Sequence, residues 1–477
     1  VTPTIDAGRS EDHDAGPLAG PVHFIGIGGS GMSGIARVLR ARGVQVSGSD
    51  VKESRALTAL RALGAEIYVG HAASNIDGAA TVVVSTAIRD TNPEVVAARD
   101  RGIPVLRRAE ALAGVMVGRR GIAVAGTHGK TTTTSMVTVA LQHCGADPSF
   151  AIGSDLSATG VNAHDGSGPD FVAEADESDE SFLLLAPQVA IITNVEADHL
   201  DHFSGIDQIM GAFAAFVDRL PSGGVLVACA DDEGSARIAL DARARGVDVM
   251  TYGTATDADL VLHDLRLDGR GGSADLVLRG VRVGTLTLQV PGEHNLRNAA
   301  AAFLAAHAVG YPAGPVLEGL TTFTGARRRF EPKGSVGGID IYDDYAHHPT
   351  EVRATIQAAR EVAGGGRVVA VLQVHRYSRA ASFLQEFGDA LAEADEVVVM
   401  EPYDPGEVPI PGAGGQAMAA TVPLPPDKVE YVASWSDVPD AVVARLQPGD
   451  LLLTMGAGEV AFVGGEVLLR LQVRSSA

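Results

Sequence analysis

The sequence predicts an α/β fold in three domains, and three observations carry that prediction. A length of 477 residues exceeds one ordinary core, at roughly 100 to 200 residues per domain. Short apolar strands alternate with helical segments, the pattern of a parallel sheet, and the alternation restarts twice, after Arg119-Arg120 and after Gly325-Ala-Arg-Arg-Arg329. Between Ala258 and Val290 the apolar period becomes two, with a glycine-rich turn at Gly269 to Gly272, so a small antiparallel insert is expected there. The expected divisions are a loose tail over 1–20 and domains over 21–118, 119–325 and 326–477.

In chain order, the first domain should hold strands at Val22 to Ile27, Gln45 to Ser49 and Val82 to Ser85, with a helix from Ser30 to Arg42. The second opens on a buried strand, Gly121 to Gly126, which runs through a glycine loop into a helix ending near Cys144. Apolar runs follow at Phe171 to Ala173 and Val189 to Thr193, then helices near Ile206 to Leu220 and Gly234 to Arg245. The insert reads as strands at Leu260 to Leu265 and Leu286 to Val290. Third-domain strands are expected at Arg367 to Val374, Glu396 to Met400 and Leu451 to Met455. No segment repeats with a solenoid period.

Composition narrows the function classes. A formal charge of -22 argues against a nucleic-acid surface, which needs clustered Lys and Arg. Cys144 and Cys229 lack paired zinc-ligand spacing and fit a reducing cytoplasm. Val1 to Ala19 carries acidic residues and no apolar core, unlike a signal peptide. The most apolar helical stretch, Ala299 to Gly310, falls short of the about 20 residues that span a bilayer. A cytoplasmic protein without membrane insertion is expected.

Chemistry concentrates first in the central loop, Gly126-Thr127-His128-Gly129-Lys130-Thr131-Thr132. Its glycines permit a tight turn, its N–H groups and the following helix N-terminus can face phosphates, and Lys130 can reach their terminal oxygens. Thr131 is placed for magnesium. The usual phosphate-loop spacing would put glycine at 124, where this chain has Val124. Two further buried strands lead into Glu174-Ala-Asp-Glu and Asp198-His199. Strand C-termini meet at the ligand crevice of such sheets, so Glu174 and His199 are the first metal candidates, with Asp176 and Asp198 as substitutes. ATP and Mg2+ are therefore expected.

The first domain offers Gly26-Ile-Gly28-Gly29-Ser30-Gly31 after a strand, and Ser49-Asp50 at the end of the next. Alone, this Rossmann-like fingerprint suggests NAD with Asp50 on a ribose, but the same backbone accepts any pyrophosphate, a UDP-sugar included. In the third domain, Arg376 and Arg379 could clamp a carboxylate, with Tyr345 and His347 near an amine.

With these segments assembled, the chain resembles the Mur ligase family from about Val22 to Gly458, through the glycine loop, the Glu174 strand, Asp198-His199 and Gly292-Glu-His-Asn-Leu-Arg-Asn-Ala-Ala300. The resemblance implies a Rossmann-like N-terminal UDP-binding domain, a central P-loop ATPase domain and a Rossmann-like C-terminal domain. It implies that Asn295 and Asn298 lie at the adenine, that Arg328 or Arg329 approaches the phosphates, and that Asp344 holds the ribose. Gly28 to Met32, Ser85-Thr86-Ala-Ile88, Asp343 to Glu351 and His375 to Arg379 look like the branch that joins L-alanine to UDP-N-acetylmuramate. By that likeness Met32, His71, Ser85, Thr86 and Arg107 help hold the UDP-sugar. Some family members carry a carbamoylated lysine after the Asp-His pair, whereas this chain has no lysine between Lys130 and Lys333. Val374 stands where that branch is expected to have proline. The lactyl carboxylate would be activated by ATP as an acyl phosphate, then attacked by the alanine amine. Domain closure would exclude water from that intermediate. The chain is expected to act as a monomer or homodimer. Rival readings are the murein-peptide-recycling ligase of the same family, an NAD-dependent dehydrogenase and a nucleotide-operated switch protein.

Overall fold

The computed structural model describes residues 18–200, 202–403 and 406–476. Most of the expected tail, residues 1–17, lies outside the described residues. The chain divides into two compact units, the first made of 1–119 with the short segments 149–151 and 163–167, the second of the remainder.

In the first unit a five-stranded parallel sheet runs in the order β3-β2-β1-β4-β5. Its strands are β1 (Val22–Ile25), β2 (Val46–Asp50), β3 (Glu66–Val69), β4 (Thr81–Val84) and β5 (Val105–Arg107). The order reverses beside β1, which opens a crevice at the strand C-termini. β1 is wholly buried and leads straight into the glycine loop and the helix Ser30–Ala41. That helix buries Met32, Ile35, Val38 and Leu39 at helical spacing and exposes Arg42 beyond its end. The antiparallel pair β7 (Ser149–Ala151) and β8 (Ala163–His164) also belongs to this unit.

The second unit holds the other two sheets. One follows the order β15-β14-β13-β12-β11-β10-β6-β9. Its parallel part is β6 (Arg120–Ala125), β9 (Asp170–Glu174), β10 (Val189–Ile192), β11 (Val225–Cys229) and β12 (Asp248–Gly253). The expected insert is β13 (Leu260–Leu267), β14 (Gly272–Leu278) and β15 (Val281–Leu288). These strands pair antiparallel, but β13 joins β12 in parallel, so the insert extends the sheet edge. The helix Glu293–Ala308 is buried almost throughout, from Leu296 to Ala306. Its alanines let it approach both the helix Lys130–His143 and the strands beneath, which explains an apolar stretch too short for a membrane. Among the described residues no helix is long and apolar enough to cross one.

The six-stranded sheet runs β16-β17-β21-β18-β19-β20. Its strands are β16 (Glu331–Val336), β17 (Ile339–Asp344), β18 (Val368–Gln373), β19 (Glu396–Met400), β20 (Val429–Val432) and β21 (Leu451–Gly456). All pairs are parallel except β16 with β17. The wholly buried β18, β19 and β21 read as unbroken apolar runs because helices cover both faces, each with its own cluster of core side chains.

Candidate active site

Register places the chemistry. β10, β6 and β9 are neighbours, with Ala125 opposite Ile192 and Val124 opposite Glu174. The glycine loop therefore emerges between the chain ends that carry Glu174 and Asn194. Gly126 has φ 134 and a Cβ there would lie 3.0 Å from the amide of Thr193, while Gly129 has φ 80 and faces Asn298 Oδ1. Side chains are excluded at both positions by space and by the left-handed backbone. His128 N–H donates to Asn194 Oδ1 at 2.7 Å, which fixes the loop on the β10 side.

Lys130 is folded back onto this loop. Its ammonium donates to the carbonyls of Gly126 (2.6 Å) and Thr127 (3.1 Å) and to Glu177 Oε1 (2.8 Å), using all three protons. Burial pushes the Glu177 carboxyl up to about 7 against the pull of Lys130. Glu177 Oε2 is buried and accepts no hydrogen bond among the described residues. Sequence reasoning missed Glu177: it weighed Glu174 and Asp176 from the same run, and no periodicity chooses among carboxylates once the strand has ended.

Thr131 donates to Glu174 Oε1 at 2.8 Å, and Glu174 Oε2 accepts from Gly153 N at 2.6 Å. Arg329 donates to the Thr131 hydroxyl at 3.2 Å. A hydroxyl and a carboxylate oxygen this close, with the orphaned Glu177 carboxylate held by the neighbouring Lys130, are the hard donors that Mg2+ takes, so these residues fit the expected ion. His199, the third candidate ligand, has φ 51 and lies 3.9 Å from Glu177 and 3.7 Å from Asp198. Burial and the Arg379 and Lys130 charges outweigh Asp198 and hold its imidazole below the usual range, neutral and able to ligate.

Beside the loop, a cleft is lined by His128, Gly129, Thr132, Asn295, Asn298, Arg329 and Asp344, seven of the residues expected at ATP. Glu196, His294, Phe323, Phe330 and Glu351 also line it. Asn295 donates to the carbonyl of Pro291 and lies beside Asn298, so both amides are fixed by the helix Glu293–Ala308. Asp344, at the end of β17, accepts from the backbone of Phe330 and Ala346, each at 2.7 Å, and burial raises its carboxyl to about 6. Arg328 is not part of this wall. It has φ 56, and its guanidinium donates to Asp343 and to the carbonyl of Gly456.

The residues expected at the amino acid fall into two groups. Arg376 and Arg379 line a second cleft with Asp198, His199 and Ser378. Arg379 is buried and gives its fork to Asp198 at 2.8 and 3.0 Å, which holds that carboxyl well below its usual range despite burial. Arg379 is thus already paired with a carboxylate of the protein. Tyr345 lies under Arg328 and Arg329, and its ring meets His347 edge-on at 5.0 Å. His347 donates from Nδ1 to the Tyr345 carbonyl at 2.7 Å. Burial lowers its pKa to about 3, so Nε2 carries a lone pair.

In the first unit the second glycine loop follows β1. Gly28 N–H donates to Asp50 Oδ2 at 2.8 Å, so the carboxylate at the end of β2 braces the loop. Ser30 begins the helix, while Gly29 and Gly31 keep the approach to its N-terminus open. Met32 is 1% exposed and packs in the core. Ser49 is buried and donates to Glu94 at 2.5 Å, and His71 Nδ1 lies 2.9 Å from Ser49 Oγ. Glu94 also accepts from Asn75 and faces His23 Nε2 at 3.6 Å; burial opposes its ionised form, but His23, Ser49 and Asn75 hold the carboxyl down to about 2. Ser85, Thr86 and Arg107 lie at or beyond the ends of β4 and β5, with Thr86 and Arg107 exposed. Arg108, which sequence reasoning passed over for its neighbour, places its guanidinium 2.9 Å from where a Cβ on Gly31 would stand.

Three family models match consecutive stretches of the chain: the Mur ligase family catalytic domain over 21–120, the Mur ligase middle domain over 124–306, and the Mur ligase glutamate ligase domain over 328–458. The chain is 57% identical to a UDP-N-acetylmuramate--L-alanine ligase of Acidothermus cellulolyticus, covering 97% of this chain and 98% of that protein. It is 54% identical to the ligase of the same name from Saccharopolyspora erythraea, covering 97% and 96%. Among solved structures, a UDP-N-acetylmuramate-alanine ligase of Thermotoga maritima superposes with a TM-score of 0.82 at 31% identity, covering 95% of this chain and 99% of that one. A murein peptide ligase of Psychrobacter arcticus gives 0.70 at 25% identity, covering 94% and 98%. Three consecutive domain matches and likeness over nearly the whole length show that the chain belongs to the Mur ligase family.

Proposed function

We propose that the protein joins L-alanine to the lactyl carboxylate of UDP-N-acetylmuramate, at the expense of ATP, and releases ADP and phosphate. The observation that carries this reading is the meeting of Lys130, Thr131, Glu174 and Arg329 beside a cleft lined by Asn295, Asn298 and Asp344, in a chain 57% identical to a protein of that name. The proposed domain limits are 21–118, 119–325 and 326–477. A cytoplasmic location and a monomer or homodimer complete the proposal.

A carboxylate is a poor acyl donor, so the reaction needs it activated. One lactyl oxygen attacks the γ-phosphorus of ATP, the bond to the β,γ-bridging oxygen breaks, and ADP leaves. Lys130, transferred from Glu177 to the phosphate oxygens, and Arg329 stabilise the charge that develops there. Thr131 and Glu174, with His199 or Glu177 completing the set, would hold Mg2+, which supplies charge neutralisation for the phosphates. The neutral alanine amine then attacks the acyl carbon, and the tetrahedral intermediate collapses by breaking the acyl carbon–oxygen bond, the departing inorganic phosphate carrying away the proton that the nitrogen loses. Arg376 takes the alanine carboxylate, Arg379 is positioned by Asp198, and Nε2 of His347 accepts a hydrogen bond from the amine. In the first unit the N-terminus of the helix Ser30–Ala41 and Arg108 take the diphosphate, with Ser49 and His71 set by Glu94.

Phosphate release measured with each substrate alone and with both tests this reading. Release should require UDP-N-acetylmuramate and L-alanine together, without change in NADH absorbance. Preference for a tripeptide over alanine would select the recycling ligase instead. Hydroxylamine should trap a hydroxamate from UDP-N-acetylmuramate only when ATP is present, and its repeated absence from an active preparation would count against the acyl phosphate.

A further inference from the structure

One cluster at the ATP cleft supplies no group to the bond-making steps above, although His128 is among the residues expected at ATP. His128 comes from the glycine loop, Glu196 from the segment after β10, and His348 from the turn preceding the helix Pro349–Ala363. His128 Nε2 lies 3.5 Å from Glu196 Oε2, and His348 Nδ1 lies 4.0 Å from the same oxygen. One donor atom from each of the three residues falls within 4.8 Å of the others. The two imidazole rings are 4.7 Å apart, centre to centre.

We infer that His128, Glu196 and His348 form a transition-metal site of the Zn2+ class, separate from the Mg2+ donors around Thr131 and Glu174. Three features point to a ligand. His128 Nε2 is buried and has no hydrogen-bond partner among the described residues, although it is aimed at Glu196. Each ring also has its other nitrogen occupied in the way that metal-bound histidines require. His128 Nδ1 faces Glu351 Oε1 at 3.2 Å, and His348 Nε2 faces the carbonyl of Ala197 at 3.3 Å. Finally, two carboxylates, Glu196 and Glu351, flank the point, a charge that a dication balances.

Two nitrogens and a carboxylate oxygen are the donor set of zinc with one position open. Tetrahedral zinc with bonds of about 2.0 to 2.1 Å sets its ligand atoms about 3.3 Å apart, so the 3.5 and 4.0 Å separations close with small side-chain rotations. His128 and Glu196 line the ATP cleft, so the open position faces that cleft. Thr350 Oγ1, which donates to Glu196 Oε2 at 2.7 Å, and Thr350 N–H, at 3.4 Å from His348 Nδ1, yield to the ion. Magnesium, which prefers six oxygens, does not compete for this donor set.

The inference is independent of the ligase reading, because its test is binding. Zn2+ would be titrated into the full-length protein by calorimetry in excess Mg2+, and the zinc-loaded wild type examined by X-ray absorption. One equivalent should bind with two imidazole ligands. His348→Gln should weaken binding at least 100-fold and Glu351→Gln about 10- to 100-fold, whereas Glu174→Gln should leave it intact. A single imidazole in the wild-type spectrum would place zinc at His199 and overturn the assignment. So would an unchanged affinity in folded His348→Gln, or the absence of a zinc equivalent.

Discussion

Two glycine loops in this chain follow a buried parallel strand and open a helix, yet their surroundings differ. The loop after β1 is braced by Asp50 through the Gly28 amide, and the buried carboxylate of Glu94 is spent on Ser49, His71 and Asn75. The loop after β6 carries Lys130, which is held by Glu177, with Glu174 and Thr131 alongside. Both can cradle a pyrophosphate with backbone N–H groups. Each has a cation at hand, Arg108 beside Gly31 in the first and Lys130 in the second, but only the second gathers its cation with several carboxylates and a hydroxyl, and this is what phosphoryl transfer needs beyond binding. The comparison teaches that a glycine loop marks a phosphate, while the side chains delivered by neighbouring strands decide whether it is held or transferred.

The largest test of that contrast removes the cation. Lys130→Ala should lower turnover by about 1,000-fold or more, since it deletes a charge that stabilises the transition state, with near-normal affinity for UDP-N-acetylmuramate by calorimetry. Near-wild-type phosphate release would erase the distinction between the loops.

Steric probes come next. A methyl group at Gly126 overlaps Thr193 Oγ1 and approaches backbone amides, in a conformation that favours glycine. Gly126→Ala should therefore reduce kcat/KM for ATP by about 100-fold, about 2.7 kcal/mol. At Gly28 the added carbon meets the side chains of Asp50 and Leu57, each at 2.8 Å, and these can move. Gly28→Ala should raise KM for UDP-N-acetylmuramate by about 10-fold, about 1.4 kcal/mol, and leave KM for ATP unchanged. A reversed ranking in steady-state kinetics would show that the wrong nucleotide has been given to each loop.

A smaller effect concerns acid stability. The folded-state pKa of Glu94 is lowered from 4.5 to about 2. Its contribution is therefore fully present above the unfolded value and is lost as pH falls from about 4.5 toward 2. Glu94→Gln should be less stable than wild type at neutral pH, and the difference in Tm should narrow through that window. Melting curves of both proteins between pH 6 and pH 3, followed by circular dichroism, check this; a constant difference would mean that the carboxylate charge does not brace Ser49 and His71.

Much of the fold was legible because buried strands are short apolar runs that end in glycine or polar residues. β19 was expected at Glu396 to Met400 and occupies those residues, and β6, β10, β18 and β21 lie within one residue of expectation at each end. Short or half-exposed strands such as β3, β5 and β20 left no such signal, because only tertiary pairing makes them strands. Within the candidate site, the glycine spacing pointed directly to Lys130 and Thr131. Glu177 was hidden among Glu174, Asp176 and Asp179, because the chain after β9 follows turns and a short 3-10 helix rather than a regular repeat. Arg329 could not be separated from Arg328 until folding gave Arg328 to Asp343 and the Gly456 carbonyl and left Arg329 at Thr131 and the cleft. Arg379 presented itself as a free clamp, yet it is paired with Asp198, 181 residues away in the chain.

By itself the sequence determined where phosphates can be held and which strands carry acidic residues to them, because glycine conformation and strand burial are local properties that spacing records. The tertiary structure decided which carboxylate meets Lys130, which arginine enters the cleft, and that His128, Glu196 and His348 share one point. Those choices depend on sheet order, register and the direction of side chains beyond strand ends, and electrostatic interaction at 3 to 4 Å is set by distance in space rather than by separation along the chain.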